Sequence, residues 1–228
     1  SNGGTGATKV IVLFLAIVVV ALLYFNLAKP QQPGAEPGGP AGAAAPEAAQ
    51  GGMPRQIAVI PKGTTHVFWK SIHAGAAKAG QELNADIIWQ GPEKEDDRAM
   101  QIQVVQNFIA RQVDAIVLAP LDDVALARPV ASAKARGIPV VIIDSGLQSE
   151  DFVSFVATDN YAGGKLAAKR LAEVMEEKGS ALMLRYAEGS ASTMKREKGF
   201  LDGIQEYGPD IELVSTNQHG GVTAESAF

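Results

Sequence analysis

From Arg55 onward, short β-branched runs alternate with amphipathic stretches, and no other feature limits the possible folds so strongly. Residues 56–60 (QIAVI) read as a strand, and residues 68–83 as a helix with Ala74, Ala76, Ala77 and Gly80 on its packing face. Residues 85–89 give a second strand. Residues 96–111 give a second helix, where Met100, Val104, Val105, Phe108 and Ile109 recur at helical spacing and Asp96 and Asp97 suit the N-terminus. Residues 114–119 (DAIVLA) form a third strand, residues 124–136 a helix ended by Gly137, and residues 138–143 (IPVVII) a fourth strand. Nearly continuous apolar strands are those of a parallel sheet covered on both faces. Strand and helix in alternation, joined by short links, predict a doubly wound α/β sheet.

The pattern then restarts. Residues 152–157 (FVSFVA) read as a strand leading to Thr158-Asp159-Asn160, and residues 161–178 as a helix. Residues 181–186 are a strand, a small-residue loop (188–193) opens a helix through Tyr207, and residues 211–215 are a further strand. Ligands of such sheets bind beyond the C-terminal ends of the strands. That rule directs attention to four loops, at residues 61–68, 90–96, 120–123 and 144–147.

The region before Arg55 is of a different kind. Residues 10–25 (VIVLFLAIVVVALLYF) are uninterruptedly apolar, and residues 26–28 extend the run. At about 1.5 Å per residue such a helix nearly spans a bilayer core of about 30 Å. No polar face exists for packing as an ordinary core helix. The segment is expected to be an uncleaved anchor, with a cleaved signal peptide as the alternative. Residues 29–54 are rich in Pro, Gly and Ala and hold almost no large apolar side chain, so they read as a disordered tether. The expected organisation is a flank (1–9), the anchor or signal segment (10–28), the linker (29–54), an N-terminal lobe (55–157) and a partial C-terminal lobe (158–228).

Composition removes whole classes of chemistry. With no cysteine there is no thiol nucleophile, no disulfide, no Cys-based zinc site and no cysteine to carry a lipid. Three histidines, His66, His73 and His219, make a His-rich metal site an unpromising expectation, and no metal or cofactor is expected. A net charge of −5 argues against a general nucleic-acid binder, which shows a basic face. A dinucleotide-binding enzyme needs G-x-G-x-x-G after the first strand, where this chain has PKGTTH. No Ser/His/Asp order is present either, and no enzymatic activity is expected. The chain does not begin with Met and ends soon after a polar stretch, so a fragment or trimmed chain is expected.

Four stretches, in order, carry a resemblance: IAVIPKGTTHVFWKSIHAGAAKAG, IPVVIIDSG, FVATDNYAGGKLAAKRL and EGSASTMKREKGFLDGI. Together, over about residues 56–215, the chain resembles the ribose-binding-protein group of periplasmic sugar-binding proteins, whose fold is shared by lac-repressor-type regulators. The resemblance implies a type I periplasmic-binding fold, with two parallel doubly wound lobes closing on a small polar ligand, here C-terminally incomplete. It places Phe68 and Trp69 at an aromatic pair that covers the apolar face of a sugar ring. It places His66 where the family often has a ligand-binding Asn, and Lys62 at another first-lobe polar contact. Core packing for the aromatics, helix capping for His66 and solvation for Lys62 stand as alternatives.

Asp144 follows the apolar strand directly, so its carboxylate should emerge at the sheet edge, and the resemblance makes it a ligand-binding aspartate. A turn-forming Asp is the alternative. Ser145 stands where the ribose-binding pattern has Arg, which counts against ribose itself. Arg196 matches the second-lobe arginine, with one more charge in a solvated cluster as its alternative. Asp159 and Asn160 match the lobe crossover, as helix cap and hinge. Gly163-Gly164 read as close helix packing.

The resemblance implies a binding protein that delivers a carbohydrate or related polar solute to the membrane permease of an ABC importer. A membrane-tethered sensory domain, signalling to a receptor or kinase through the same cleft, is the second reading. Either would lie on the periplasmic or extracellular side of the cytoplasmic membrane.

Overall fold

The computed structural model describes residues 54–227. The expected anchor or signal segment, and the linker up to Met53, lie outside the described residues. Among the described residues no helix is long and apolar enough to cross a membrane.

The first lobe is β1 (Arg55–Ile60), α1 (Val67–Leu83), β2 (Ala85–Trp89), α2 (Arg98–Ala110), β3 (Ala115–Leu118), α3 (Ala127–Ala135), β4 (Val140–Ile143) and β5 (Ser154–Val156). Its strands form one parallel sheet in the order β2-β1-β3-β4-β5. The strand order reverses at β1, stepping outward to β2 on one side and to β3 on the other, and doubly wound sheets bind ligands in the crevice at such a point. Ala58 and Ile60 of β1, Ile116 and Leu118 of β3 and Ile142 of β4 have no exposed surface, and they share one core with Val104 and Phe108 of α2, Leu126 at the start of α3 and Val130 within it.

The chain then passes through Asp159 into α4 (Asn160–Val174), β6 (Lys178–Arg185), α5 (Ala191–Tyr207) and β7 (Asp210–His219), followed by a short 3-10 turn (Glu225–Ala227). Here β6 and β7 pair in parallel as a separate sheet. The two helices touch through glycines. A methyl group at Gly164 would strike the Arg196 carbonyl, and one at Gly199 the Tyr161 carbonyl, whereas one at Gly163 meets nothing. Close packing therefore falls to Gly164 alone of the predicted pair.

Two predicted boundaries change. The helix expected through Lys178 ends at Val174. Glu176 and Glu177 take left-handed backbone and Lys178 is already in register with Asp210. The last strand, expected over residues 211–215, runs on through polar Thr216–His219, because pairing with β6 satisfies its backbone whatever its side chains are.

Candidate functional site

The loops after β1, β3 and β4 converge at the C-terminal edge of the first sheet, and Gln101 ties two of them together. It has no exposed surface. Its side-chain amide donates to the carbonyls of Pro61 (3.0 Å) and Ala119 (2.8 Å), and its oxygen accepts from Leu121 N (2.8 Å). A buried amide satisfied on both ends fixes loop positions more tightly than apolar contact does.

At β4 the chain turns sharply. Asp144 takes φ +62°, with its amide bonded to the Val156 carbonyl (3.0 Å), and the amide of Ser145 returns to the Ile143 carbonyl. Asp is among the few L-residues that tolerate this region, and strained backbone concentrates at binding sites. The turn holds the Asp144 carboxylate at the sheet edge, mostly shielded from solvent.

Lys62 reaches the same point from the loop after β1. Only 3% exposed, its Nζ lies 3.2 Å from Asp144 Oδ2 and donates to Ser145 Oγ (2.6 Å), Ser190 Oγ (3.0 Å) and Ser192 Oγ (3.3 Å). Ser145 Oγ also lies 2.8 Å from Ser192 Oγ and accepts from Ser192 N (3.1 Å). Burial, the dominant influence, pulls the Lys62 amine below its ordinary range, and the Asp144 carboxylate opposes that pull. An ammonium this buried is sustained by the oxygens around it. Ser190 and Ser192 sit where the β6–α5 loop opens α5, so one cation bonds both lobes. A backbone bond from Asp123 N to the Gly189 carbonyl (3.1 Å) joins them again.

The aromatic pair divides. Trp69, expected as an aromatic wall for ligand, is 1% exposed and donates its indole N–H to Glu95 Oε1 (2.7 Å). Phe68 is the exposed member, edge-on to Trp69 with centroids 4.9 Å apart. Glu95 also faces Tyr186 at the end of β6, whose phenol is raised above its ordinary pKa by burial and then by that carboxylate. His66 caps α1, its Nδ1 accepting from Phe68 N (3.2 Å). Arg196 lies exposed on α5 and close enough to Lys62 to disfavour its charge. Among the described residues no hydrogen bond or ion pair engages the Arg196 guanidinium.

Asp159 caps α4 through Ala162 N (2.9 Å). Asn160 is buried and donates to the Thr158 carbonyl (3.0 Å), while its Oδ1 has no partner. Both border a pocket of about 460 Å³ beside the crossover, with Phe155, Tyr161, Ser192 and Lys195. The structure thus brings Lys62, Asp144 and Ser145 together, sets Arg196 nearby, and places His66 and Asp159 as caps. Sequence reasoning missed Ser190, Ser192, Glu95 and Gln101. For the serines, the small-residue loop was the available signal. Among the described residues no cluster of His, Asp or Glu is arranged to hold a metal ion.

A family model described as a periplasmic binding protein domain matches residues 57–228. A D-apiose import binding protein of Actinobacillus succinogenes is 29% identical over 160 residues, 70% of this chain and 51% of that protein. A D-ribose/D-allose-binding protein of Pseudomonas aeruginosa is 32% identical, covering 68% of this chain and 51% of that one. The chain spans about half the length of these curated relatives. Among solved structures, a carbohydrate transporter solute binding protein from Agrobacterium radiobacter, in complex with D-arabinose, superposes with a TM-score of 0.71 at 34% identity. That superposition covers 73% of this chain and 58% of its counterpart.

Proposed function

This chain belongs to the periplasmic binding protein family, and on that footing we propose that it captures a small neutral polar solute, a sugar, outside the cytoplasm for an ABC-type importer. The observation that carries the reading is the buried Lys62–Asp144 pair ringed by serine hydroxyls from both lobes, at the strand ends where such sheets bind ligands. Asp144 would accept from paired ligand hydroxyls, Lys62 and Arg196 would donate, Ser145 would order Lys62, and exposed Phe68 would cover an apolar ring face. His66 and Asp159 act as caps in this reading, Asn160 as a hinge residue, and Trp69 as the support of Phe68. Ligand bridging both lobes favours the closed state by its differential affinity for it, and binding alone requires no catalysis. The relatives are named for import and solute binding, and the sensory alternative draws no support from them.

A thermal-shift screen of the full chain against aldoses, polyols and nucleosides tests this. A ligand at about 100 times its Kd adds about 2.7 kcal/mol to the folded state. The expected result is a raised midpoint with one or more sugars, lost in Asp144→Ala and kept in Lys78→Ala. Absence of a shift with every sugar and polyol contradicts the carbohydrate assignment.

A further inference from the structure

The pocket beside the crossover, at about 460 Å³, falls within the range of small-molecule sites, about 300–1,000 Å³. Its polar groups do not satisfy one another. Asn160 lines it and is 5% exposed; the side-chain amide donates to the Thr158 carbonyl, while its Oδ1 is buried without a hydrogen-bond partner. A buried amide oxygen left unpaired is costly, and folded proteins give nearly all such groups a partner. Beside it, Asp159 commits Oδ1 to capping α4, and among the described residues nothing bonds its Oδ2. Lys195 faces the same pocket from the start of α5, its ammonium 6.0 Å from the centroid of the Phe155 ring. On the same stretch of helix Glu197 pairs with Arg185 and Lys198 with Asp202, and among the described residues no hydrogen bond or ion pair engages Lys195. An ammonium and a carboxylate therefore line one pocket without pairing. Its walls are aromatic: the half-exposed ring of Phe155, and the ring of Tyr161, held by the bond from its hydroxyl to Asp202 (2.7 Å).

We propose that this pocket is a second binding site, distinct from the Lys62–Asp144 cluster, for a small zwitterion: an α-amino acid with an apolar side chain. The ligand carboxylate pairs with Lys195, and the positive end of α5 adds to the attraction. The ligand ammonium donates to Asn160 Oδ1 and to the second oxygen of Asp159, and the apolar side chain packs on Phe155 and Tyr161. The two charges of the pocket set the selectivity. A neutral sugar leaves both unpaired, a simple carboxylate leaves Asp159 and Asn160 Oδ1 unpaired, and a simple amine leaves Lys195 unpaired. Phe155 belongs to the first lobe and Asn160 and Lys195 to the second, so the occupant touches both. The site does not depend on the sugar-binding reading above.

Calorimetric titration of the full chain with L-leucine provides the test, with 4-methylpentanoate, isopentylamine and D-ribose as comparisons. L-Leucine is expected to bind at one site per chain. Each singly charged analogue should bind at least about tenfold more weakly, the effect of one lost charge-assisted bond. Lys195→Met, at an exposed position, and Asp159→Asn, which keeps a good helix cap, should each weaken L-leucine by about tenfold or more. Asn160→Ala should weaken it as well, with its thermal midpoint checked against wild type, and Lys78→Ala should leave the affinity unchanged. D-Ribose in excess should not displace L-leucine. Absence of L-leucine binding, an affinity unmoved by both Lys195→Met and Asp159→Asn, an analogue of one charge that binds as tightly, or displacement by D-ribose overturns the proposal and leaves the sugar reading intact.

Discussion

The two lobes solve the same packing problem by different means. The first covers a five-stranded parallel sheet with large side chains, and Phe108, Ile60, Ile116, Leu118 and Ile142 are almost entirely out of contact with water. The second has two strands and a small core, Ala168, Ala172, Ile204 and Ile211, compensated by backbone-to-backbone approach of α4 and α5 at glycines. Leu182, Leu184 and Val214 of its sheet stay exposed. The division follows the chemistry. The first lobe presents the charged groups Lys62 and Asp144 from loops held by a deep core and by Gln101. The second contributes hydroxyls and backbone from a loop on a lighter scaffold. In the proposed reading, the groups whose charges must be placed accurately sit on the half with the deeper core, and the half with the smaller core is the one that would move over ligand.

Truncation in the first core should have the largest effect. Phe108→Ala is expected to cost about 3–5 kcal/mol, seen as a fall in the urea midpoint, because the deep core cannot collapse into the space. Ile204→Ala, in the small core, should fall near the lower end of the range for such truncations, about 2 kcal/mol, with lost amide protection confined to the second lobe. Equal losses from the two would remove the contrast.

The glycine contact comes next. Gly199→Ala drives a methyl into the Tyr161 carbonyl and should cost about 1–3 kcal/mol, whereas Gly163→Ala, with open space around it, should stabilise α4 by about 0.5–1 kcal/mol. Thermal melts of the two variants should therefore move in opposite directions.

Titration sharpens the comparison at the site. Lys62 has its folded-state pKa below the ordinary 10.5, from burial first and against the opposing pull of Asp144. Its preference for the neutral amine contributes stability that is full above pH 10.5 and is lost as pH falls through the folded-state midpoint. An NMR titration of the Lys62 amine should show a midpoint below 10.5, and Asp144→Asn should lower it further. A midpoint that rises in that variant would contradict the pairing. The smallest effect belongs to the exposed Lys78–Glu82 pair at 3.7 Å, where Lys78→Ala should change stability by no more than about 0.5 kcal/mol.

Much of the fold was legible from the chain. Each strand of the first sheet was anticipated by an apolar run, and Asp144 by its place directly after IPVVII. The cap at Asp97 follows from acidic residues preceding apolar periodicity, and the cap at Asp159 was implied by the resemblance at the lobe crossover. The centre of the site was less legible, for a physical reason. A lysine is ordinarily solvated, and the bonds that bury Lys62 come from residues 83 and 128 positions away, a separation that no local pattern encodes. Ser190 and Ser192 look like turn residues until Lys62 is set against them. Trp69 beside a polar loop suggested a ligand wall, and its burial depends on Glu95, placed by the loop after β2. Gln101 falls on the apolar face of a helix whose pattern draws attention to its aliphatic neighbours.

The central claim is that charged groups of the first lobe and hydroxyls of the second form a single ligand site. Hydrogen exchange followed by mass spectrometry, with and without a sugar found to bind, tests it most directly. The account predicts that ligand slows exchange together in the segments around Lys62, Asp144–Ser145 and Ser190–Ser192, with little change in the protected core around Phe108. Slowing confined to one lobe, or absent from the Asp144 and Ser192 segments, would contradict it.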